Sequence, residues 1–468
     1  MAEALTSLFA DFAGRLHDDG IPREVWGAAR AHIVDSIGVS LAGASPAEES
    51  GAAARALVGS WKAGNGASVL GVDARCRPEL AALLNGALGQ ALEMDDKHSS
   101  SLARPGSTVV PAVLAVAEAN NLSLREAITA IVAGYEIMIR LGFVAGPRFL
   151  ERGYHTSSLL GAFGAAVAVG RLLRLPPQGI ADALGIAGSF AAGIQEATRT
   201  GSTSKILHGG WGAHSGILAV DFARAGITGP DSVFEGKFGF FQCFLTPISG
   251  VLDFAAAADG LGRHWHLPDT AFKPYPCCQL LHAFIEACRA IRTELRADGI
   301  PVSAIESISC RLAEPGLTLV NEPLSRKRRP THPHEARFSL PYTVATTLVH
   351  GDVDVESFRP ARLAELAVLD LAARVVGAED PASDYPLHCP ARIEVRTATN
   401  TYSRHVPFHP GSPEAPLLES EVLDKFARNT AWYLGNRARD IGVALMQAPD
   451  DVPVPDFVTT ATGANVSI

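Results

Sequence analysis

Hydrophobic residues recur at helical spacing through the amino-terminal part of the chain. Leu5, Leu8, Phe9 and Phe12 follow one another at three- and four-residue steps, and Pro22 stands where the first turn of the next helix would begin. Three later segments are apolar on nearly every side and rich in Ala and Gly: residues 126–142, 159–175 and 180–197. Helices of this kind are buried in a bundle, where small residues let their backbones approach closely.

The pattern changes after about Pro268. Residues 304–312 alternate apolar and polar side chains as a half-buried strand does, and residues 391–406 predict two strands that meet around Asn400. Two helical patterns lie between these strands, at 339–351 and 363–376. Helical periodicity returns after residue 412, so this helical segment is expected to pack back on the amino-terminal helices.

These patterns predict a mainly α protein with an α+β second domain. We expect one large all-helical domain in two pieces, residues 1–268 and 412–468. A smaller α+β lid domain, residues 269–411, is inserted between the two pieces. The end of the chain, from Val454 onward, is predicted to be an unanchored tail.

Composition narrows the classes of partner. The 468 residues are 47% apolar and 19% charged, which favours a large core, and the net charge of −9 without a long basic run argues against nucleic acid. The seven cysteines form no CxxC pair, and neither a secretory signal pattern nor a membrane-spanning apolar stretch is seen. We therefore expect a cytoplasmic protein that binds small molecules, not a membrane.

Common motifs of nucleotide binding, serine hydrolases and zinc proteases are absent from the sequence. It contains no GxGxxG, no GxxxxGK[ST], no GxSxG and no HExxH. Candidate chemistry therefore rests on four groups of polar residues set into otherwise apolar helical sequence.

The first polar group covers residues 93–98 and is followed by Arg104. Asp95 and Asp96 can each cap a helix, which is the simpler interpretation. Two neighbouring carboxylates also repel each other, and this raises the pKa of one of them and suits it to carry a proton. Lys97 and His98 follow directly.

The other three groups hold histidines and lysines near buried helices. His155 precedes a buried helix and is either structural or a proton carrier. Lys205 and His208 lie among Gly, Ser and Thr, where a lysine either reaches the surface or meets an anion. Lys273 is fixed beside Pro274 at the start of the lid, which suits a ligand contact.

Together these side chains suit one class of reaction. The candidates for anion binding are Lys97, Arg104, Lys205 and Lys273, and those for proton transfer are Asp95, His98 and His155. Cations in a water-excluding cleft would clamp carboxylates and stabilise the enediolate that forms when a carbon next to a carboxylate loses its proton. We expect this chemistry to use no cofactor.

Several blocks, in order along nearly the whole chain, resemble the MmgE/PrpD family, which includes 2-methylcitrate dehydratase, cis-aconitate decarboxylase and iminodisuccinate epimerase. They include "IPREVWGAARAHIVDSIGVSLAGA", "RPGSTVVPAVLAVAEA", "GYHTSSLLGAFGAAVAVGRLL", "SKILHGGWGAHSGILAVDFARAGITGP", "FKPYPCCQLLHAFIEA" and "RFSLPYTVATTLVHGDV". The resemblance implies a helical domain with an α+β lid, a metal-free site in the cleft between them, and a homodimer.

The resemblance also assigns site positions. The family's functional residues fall on Asp95, Asp96, His155, Lys205, Lys273 and Tyr342. Two positions depart from the family pattern: Arg104 replaces a histidine before proline, and Lys97 replaces a common threonine. Arg104 cannot act as a general acid near neutral pH, but it can hold a carboxylate through two hydrogen bonds.

Arg104 would thus bind a carboxylate at the position where the family's histidine could donate a proton. This exchange favours a reaction in which only a carbon-bound proton leaves and returns. The leading hypothesis is therefore an epimerase of a small di- or tricarboxylate, with iminodisuccinate as the named candidate. His155 and Lys205 would carry protons, and Arg104, Lys273, Tyr342 and His208 would contact the substrate. Because Lys97 or His98 can substitute as the acid, a 2-methylcitrate-type dehydratase is the runner-up, and cis-aconitate decarboxylation comes third.

Two interpretations from other classes stay open. Asp95, Asp96 and His98 can together hold a divalent cation, which would make the protein a metal-dependent enzyme. Alternatively, the chain is a helical binding protein that retains the cleft without turnover.

Overall fold

The computed structural model describes residues 4–247 and 252–463. The helices before the lid are α1 (Leu5–Arg15), α2 (Arg23–Gly43), α3 (Glu49–Trp61), α4 (Pro78–Gln90), α5 (Val109–Ala119), α6 (Leu124–Ala145), α7 (Arg148–Glu151), α8 (Thr156–Leu172), α9 (Pro177–Phe190), α10 (Glu196–Thr200), α11 (Leu207–Arg224), α12 (Phe240–Leu245) and α13 (Phe254–Ala258). Two short ribbons accompany them, formed by β1 (Lys62–Ser68) with β2 (Arg75–Cys76) and by β3 (Lys97–His98) with β4 (Thr270–Ala271).

The rest of the chain combines one sheet with further helices. The strands are β5 (Ile305–Leu312), β6 (Val375–Glu379), β7 (Ala391–Thr397) and β8 (Thr401–Val406). The helices of this part are α14 (His282–Ala297), α15 (Glu314–Val320), α16 (Leu324–Arg328), α17 (Pro333–Ala336), α18 (Leu340–His350), α19 (Pro360–Leu363) and α20 (Leu366–Ala372). The chain then continues through α21 (Glu419–Leu434), α22 (Ala438–Met446) and α23 (Val454–Ala461).

Local sequence explains where the main helices begin and end. Ser123 caps α6 by accepting a hydrogen bond from the backbone of Glu126, whose side chain accepts from the Ser123 backbone in return. Pro78 opens α4 at a first-turn position that needs no backbone donor. Ser339 caps α18, and Gly351 ends it with a φ of 96°, a conformation that favours glycine.

The sheet has the order β6-β5-β7-β8. β5 pairs in parallel with β6 and antiparallel with β7, which in turn pairs antiparallel with β8. Along β7 the residues Ala391, Ile393 and Val395 are buried and alternate with less buried ones, because one face of the sheet packs on α14. The predicted strands at 304–312 and 391–406 are therefore confirmed.

Two large hydrophobic cores and one small cluster around Leu92 hold the buried apolar residues of the described part. One core draws on residues 5–267 together with 422–461, and the other draws only on residues 275–402. The predicted fold class, a large helical domain with a smaller α+β domain, is confirmed. The helices that return after the lid pack on the first core, mainly through the contact of α21 with α2.

Three local predictions were wrong. The helix predicted over 363–376 stops at Ala372, and Val375 and Val376 belong to β6, since β-branched residues fit a sheet better. The helical domain is not all-helical, because it carries the β1–β2 ribbon. The predicted tail forms α23, whose Phe457 and Val458 are buried; its last residues, 464–468, lie outside the described ones.

One helix in the described part, α6, is long and apolar enough to span a membrane. In this structure, 94% of its most apolar window is buried inside the protein. It also carries Glu136 and Arg140, which are both buried and lie 3.4 Å apart. The α6 helix is therefore a buried helix of the first core.

Close backbone contacts fix the helices that lead into the polar groups. A β-carbon on Gly210 of α11 would lie 2.0 Å from the carbonyl oxygen of Leu83 in α4. Only glycine permits this approach, which brings the middle of α4 next to the beginning of α11, and Gln90 at the end of α4 accepts a hydrogen bond from the Gly209 backbone. The polar segments at 93–98 and at 205–208 therefore meet.

Candidate active site

The predicted polar groups converge where the two hydrophobic cores meet. The turn after α4 supplies the segment 93–98, the 3-10 turn Thr203–Ile206 supplies Lys205, and the segment after β4 supplies Lys273. These side chains are buried even though they are charged. Buried charges are stable only when they are paired, so the pairing pattern shows how the site is organised.

Glu93 is the centre of this arrangement, although the sequence analysis assigned it no role. Its carboxylate forms an ion pair with the Lys205 ammonium through Oε1, and its Oε2 lies 3.2 Å from Arg104 Nη1 and 4.0 Å from Lys273 Nζ. Lys273 also donates a hydrogen bond of 3.3 Å to the Glu93 carbonyl. The Glu93 backbone has a φ of 56°, a left-handed conformation that is uncommon outside glycine and often marks functional sites.

The charge of Glu93 is set by its neighbours. Complete burial favours the neutral acid, but the fields of Lys205, Arg104 and Lys273 outweigh burial and hold the pKa of the Glu93 carboxyl well below its usual range. Glu93 is therefore ionised at neutral pH. Burial lowers the pKa of Lys205, and the Glu93 carboxylate opposes that shift.

Asp95 faces the same cations. Its Oδ1 lies 3.5 Å from Lys273 Nζ and 3.8 Å from Arg104 Nη1, and it has no hydrogen-bond partner in the described part of the chain. Its Oδ2 accepts hydrogen bonds of 3.2 Å from Ser107 Oγ and 3.4 Å from Gln90 Nε2. One Asp95 oxygen is thus anchored and the other points at the cationic group.

Asp96 has different surroundings. Its carboxylate accepts hydrogen bonds from the Gly106 backbone at 2.8 Å and from the Tyr135 hydroxyl at 2.7 Å, and it lies 2.9 Å from His32 Nδ1. Burial disfavours its charge, yet His32 and these hydrogen bonds lower the pKa of Asp96 overall. Asp96 therefore holds the turn before α5 in place, but it does not cap that helix, whose N-cap residue is Thr108.

Lys97 is a buried lysine without a counterion. It is 7% exposed, and no hydrogen bond or ion pair joins its ammonium to any residue that the structure describes. Burial lowers the pKa of Lys97 to about 8; nearby Cys389 opposes this shift, and the charge of Arg104 adds to it. A group with this pKa can both donate and accept a proton near neutral pH.

His98 points away from the Glu93 group. Its Nδ1 lies 2.9 Å from Ser101 Oγ, and its ring packs edge-on against His266. Burial lowers the pKa of His98 to about 3, so its ring is neutral. Asp95, Asp96 and His98 each have separate partners and do not form a ligand group in the described part of the chain, so the structure does not support the alternative of a metal site at these three residues.

His155 and His208 form a histidine pair. Their Nδ1 atoms are 3.0 Å apart, so one ring donates a hydrogen bond to the other. Burial and the nearby charge of Lys205 lower the pKa of both rings, to about 4 for His208 and well below its usual range for His155. Two neutral rings in direct contact can pass a proton from one to the other.

The structure does not bring Tyr342 into this group. Its hydroxyl donates a 2.8 Å hydrogen bond to the Ser357 carbonyl, and its ring is buried in the core of the lid. The lid instead contributes His334, a buried side chain whose two ring nitrogens have no partner among the described residues. Burial lowers the pKa of His334 to about 3, and both Glu93 and Lys205 act on it electrostatically.

The central group carries more positive than negative charge. Three cations, Arg104, Lys205 and Lys273, face two carboxylates, Glu93 and Asp95, and Lys97 adds a further amine. Only Nη1 of Arg104 contacts these carboxylates, which leaves the other guanidinium nitrogens without an acceptor in the described residues. The arrangement suits a small anion with several carboxylates.

Comparison with known proteins agrees with this chemistry. Residues 7–249 match the sequence model of the MmgE/PrpD N-terminal domain, and residues 275–447 match that of the MmgE/PrpD C-terminal domain. The chain is 29% identical to a cis-aconitate decarboxylase of Aspergillus terreus over 90% of this chain and 88% of the relative. It is 27% identical to the Mus musculus cis-aconitate decarboxylase, covering 92% and 88%, and 27% identical to a cis-aconitate decarboxylase-like protein of Aspergillus oryzae, covering 91% and 90%.

Glu93→Gln should destabilise the protein, because it leaves buried cations without their shared carboxylate. We expect the free energy of unfolding at pH 7 to fall by about 3 kcal/mol. Because the folded pKa of Glu93 is lowered, its contribution is present above its unfolded pKa and is lost as the pH falls below that value.

Urea denaturation at several pH values measures this effect. Glu306→Gln, at an exposed position on β5, is the matched control and should change stability by less than about 0.5 kcal/mol. Equal stabilities of the Glu93 variant and the control at pH 7 would contradict the central role of Glu93.

Proposed function

Because this chain belongs to the MmgE/PrpD family, we propose that it is a lyase that removes a carboxyl group from a small unsaturated tricarboxylate of the cis-aconitate type. The convergence of Arg104, Lys205 and Lys273 on one buried carboxylate carries this proposal. Three relatives that align with about 90% of this chain are named cis-aconitate decarboxylases or cis-aconitate decarboxylase-like, which supports the proposal. The epimerase ranked first from the sequence becomes the second candidate.

The reaction needs charge stabilisation and one proton. In a β,γ-unsaturated carboxylate the bond to the carboxyl group breaks, and its electron pair moves through the neighbouring double bond to a carbon that carries another carboxylate. Carbon dioxide leaves, and an enediolate forms. One proton from the protein then adds to that carbon, so atoms and charges balance. Fixed cations stabilise the enediolate as its charge develops.

The positions of the cations indicate what each one does in this reaction. Arg104 has unoccupied guanidinium nitrogens that can hold one carboxylate through two hydrogen bonds. Lys205 and Lys273 are buried and already directed at Glu93 and Asp95, so a bound carboxylate enters a field that needs little reorganisation. Burial excludes water and strengthens these interactions.

Lys97 is the proposed proton donor. It lacks a counterion, and its pKa of about 8 leaves it mostly protonated at pH 7 yet able to release the proton. The His155–His208 pair, joined at 3.0 Å, is the proposed route by which a proton is exchanged with solvent, since His208 is partly exposed.

Arg104 favours the second candidate, an epimerase of a dicarboxylate such as iminodisuccinate. An arginine held by Glu93 and Asp95 stays charged, so it can clamp a carboxylate but cannot protonate a leaving group. Epimerisation would use the same cations, with the proton leaving and returning on opposite faces of one carbon. A 2-methylcitrate-type dehydratase requires an acid for the leaving hydroxyl, a role that falls to Lys97.

Proton NMR in D₂O separates these reactions. Purified enzyme is given cis-aconitate, 2-methylcitrate or one stereoisomer of iminodisuccinate in separate tubes. We expect cis-aconitate alone to react, giving a methylene-bearing dicarboxylate with one deuterium on its saturated carbon and an equivalent of carbon dioxide. Lys273→Met should abolish this conversion, and Lys237→Met, at an exposed lysine, should leave it unchanged.

Three other outcomes would overturn the decarboxylase proposal. Deuterium in iminodisuccinate together with its other stereoisomer would establish the epimerase. An alkene from 2-methylcitrate would establish the dehydratase. Thermal stabilisation by cis-aconitate without any product would establish a binding protein.

Lys97→Met should make the folded protein more stable and the enzyme less active. A pKa lowered from 10.5 to about 8 means that burying the charged form costs about 3 kcal/mol at neutral pH. Removing that charge should therefore raise the free energy of unfolding by roughly 1–3 kcal/mol at pH 7, while kcat falls by about 100-fold or more.

The pH profile gives an independent check. Because the acid must be protonated, wild-type kcat/KM, which reports the free enzyme, should decrease as the pH rises through about 8. Lys237→Met is again the control, with unchanged stability and kcat. A Lys97→Met enzyme that is less stable and still active would show that Lys97 is structural.

We also infer that the chain acts as a homodimer, in the cytoplasm. Leu207, Trp211 and Phe222 form an exposed apolar stripe along α11, and such a stripe is typical of a surface covered by a partner. Because α11 begins next to Lys205, a second copy on this face would also shield the site from water.

Light scattering after size-exclusion chromatography tests the dimer. The wild type should elute with twice the chain mass of 49.2 kDa, and a Trp211→Glu and Phe222→Glu double variant should elute as a monomer. Leu366→Glu, at an exposed apolar position on the lid, is the control and should stay dimeric. A monomeric wild type would contradict the inference.

A further inference from the structure

Three side chains of the types that ligate metals meet beside the β3–β4 ribbon. One ligand atom each from His98, His266 and Asp269 lies within 4.8 Å of the others, the one such group in the described part of the chain. His98 belongs to β3, and the other two belong to the segment that enters β4. They line a cavity of about 330 Å³ that is separate from the contacts of Glu93.

We propose that His98, His266 and Asp269 bind a divalent transition-metal ion of the zinc type at the wall of this cavity. Two imidazoles and one carboxylate match the preferences of zinc and cobalt, whereas magnesium and calcium prefer oxygen ligands alone. The ion is expected to join the ribbon of β3 and β4, and it takes no part in the proposed decarboxylation.

The backbone holds these ligands close together. His98 pairs with Thr270 across the β3–β4 ribbon, which places it beside Asp269. The buried Glu136 accepts hydrogen bonds from the backbone of His266 at 2.7 Å and of Leu267 at 2.9 Å, so this segment is anchored to α6. The positions of the three side chains are thus fixed before any ion binds.

The ligand atoms themselves are available. His98 Nδ1 accepts a 3.4 Å hydrogen bond from the Ser101 backbone and lies 2.9 Å from Ser101 Oγ, so Nε2 is the ring nitrogen left for an ion once Nδ1 carries the ring proton and donates to Oγ. Neither the His266 ring nor the Asp269 carboxylate has a hydrogen-bond or ion-pair partner among residues 4–247 and 252–463. Both side chains reach the surface, so an ion has a short path from solvent to them.

The spacing requires only a small adjustment. Zinc binds nitrogen and oxygen at about 2.0–2.2 Å, so two ligand atoms of a tetrahedral ion lie about 3.4 Å apart. The ligand atoms now lie within 4.8 Å of one another, so the partly exposed His266 and Asp269 side chains must rotate toward His98 to bind an ion. Three protein ligands leave a fourth position for water, facing the cavity.

Charges of both signs surround this place, because Lys97 acts on His98 and Arg140 acts on His266, while two carboxylates line the cavity. Asp269 and Glu414 line the same cavity, and Glu414 already accepts a 3.1 Å hydrogen bond from His388. An ion bound here would tie β3 to β4, and these strands position Lys97 and, two residues beyond β4, Lys273. Metal binding should therefore stabilise the ribbon next to the cationic group.

Calorimetric titration with zinc chloride tests the proposal. The protein carries no affinity tag, and Cys243→Ser is present in every sample because Cys243 is an exposed thiol that can bind zinc. We expect one equivalent of zinc to bind, a rise in Tm, and the visible absorption of a tetrahedral site when cobalt replaces zinc. Asp269→Asn and His266→Asn should each weaken binding by about 10-fold or more.

Matched controls remove charge or imidazole elsewhere on the surface. Asp440→Asn and His405→Asn should bind zinc as the Cys243→Ser parent does. The two ligand variants alter partly exposed side chains, so unchanged Tm values without metal will show that they fold. The proposal is overturned if the parent binds no zinc, or if both ligand variants bind it with the parent's affinity.

Discussion

The buried carboxylate of Glu93 is the interaction on which the site depends. It ties together Lys205, Arg104 and Lys273, which come from three separate parts of the chain. Each of these cations would be costly to bury alone, and together they would repel one another. Sharing one carboxylate solves both problems, and it keeps the cations aimed at the same small volume at the boundary of the two hydrophobic cores.

Other buried charges around this centre are paired in a way that leaves them no further role. Lys425 lies 2.7 Å from Asp35 and donates to the Met94 carbonyl, Asp96 is surrounded by donors, and Arg140 is held by Glu136 and backbone carbonyls. Lys97 differs, because its amine has no such partner in the described part of the chain. An unpaired buried amine destabilises the folded protein, and its place beside the cationic group gives a functional reason for retaining it.

Sequence periodicity predicted most of the fold, because it reports directly on which face of an element is buried. It failed at Val375 and Val376, where an apolar run continues from a helix into a strand. It also failed at α23, a short segment in which the apolar residues have helical spacing: Val454, Phe457, Val458 and Ala461. The site was predicted in part. The lysines and histidines drew attention as polar residues in apolar sequence, but Glu93 gained its importance only from contacts with distant residues. Tyr342 was placed by resemblance, and no local pattern reveals that its hydroxyl faces Ser357.

The most direct test of this account is the proton balance of polycarboxylate binding. Tricarballylate, a saturated tricarboxylate, is titrated into the enzyme by calorimetry at pH 8 in buffers with different ionisation enthalpies. With its pKa of about 8, Lys97 is half-protonated there, so an anion bound beside it should draw about half a proton from the buffer. The account predicts this uptake in the wild type and its loss in Lys97→Met. Equal binding by both proteins without any proton uptake would contradict it.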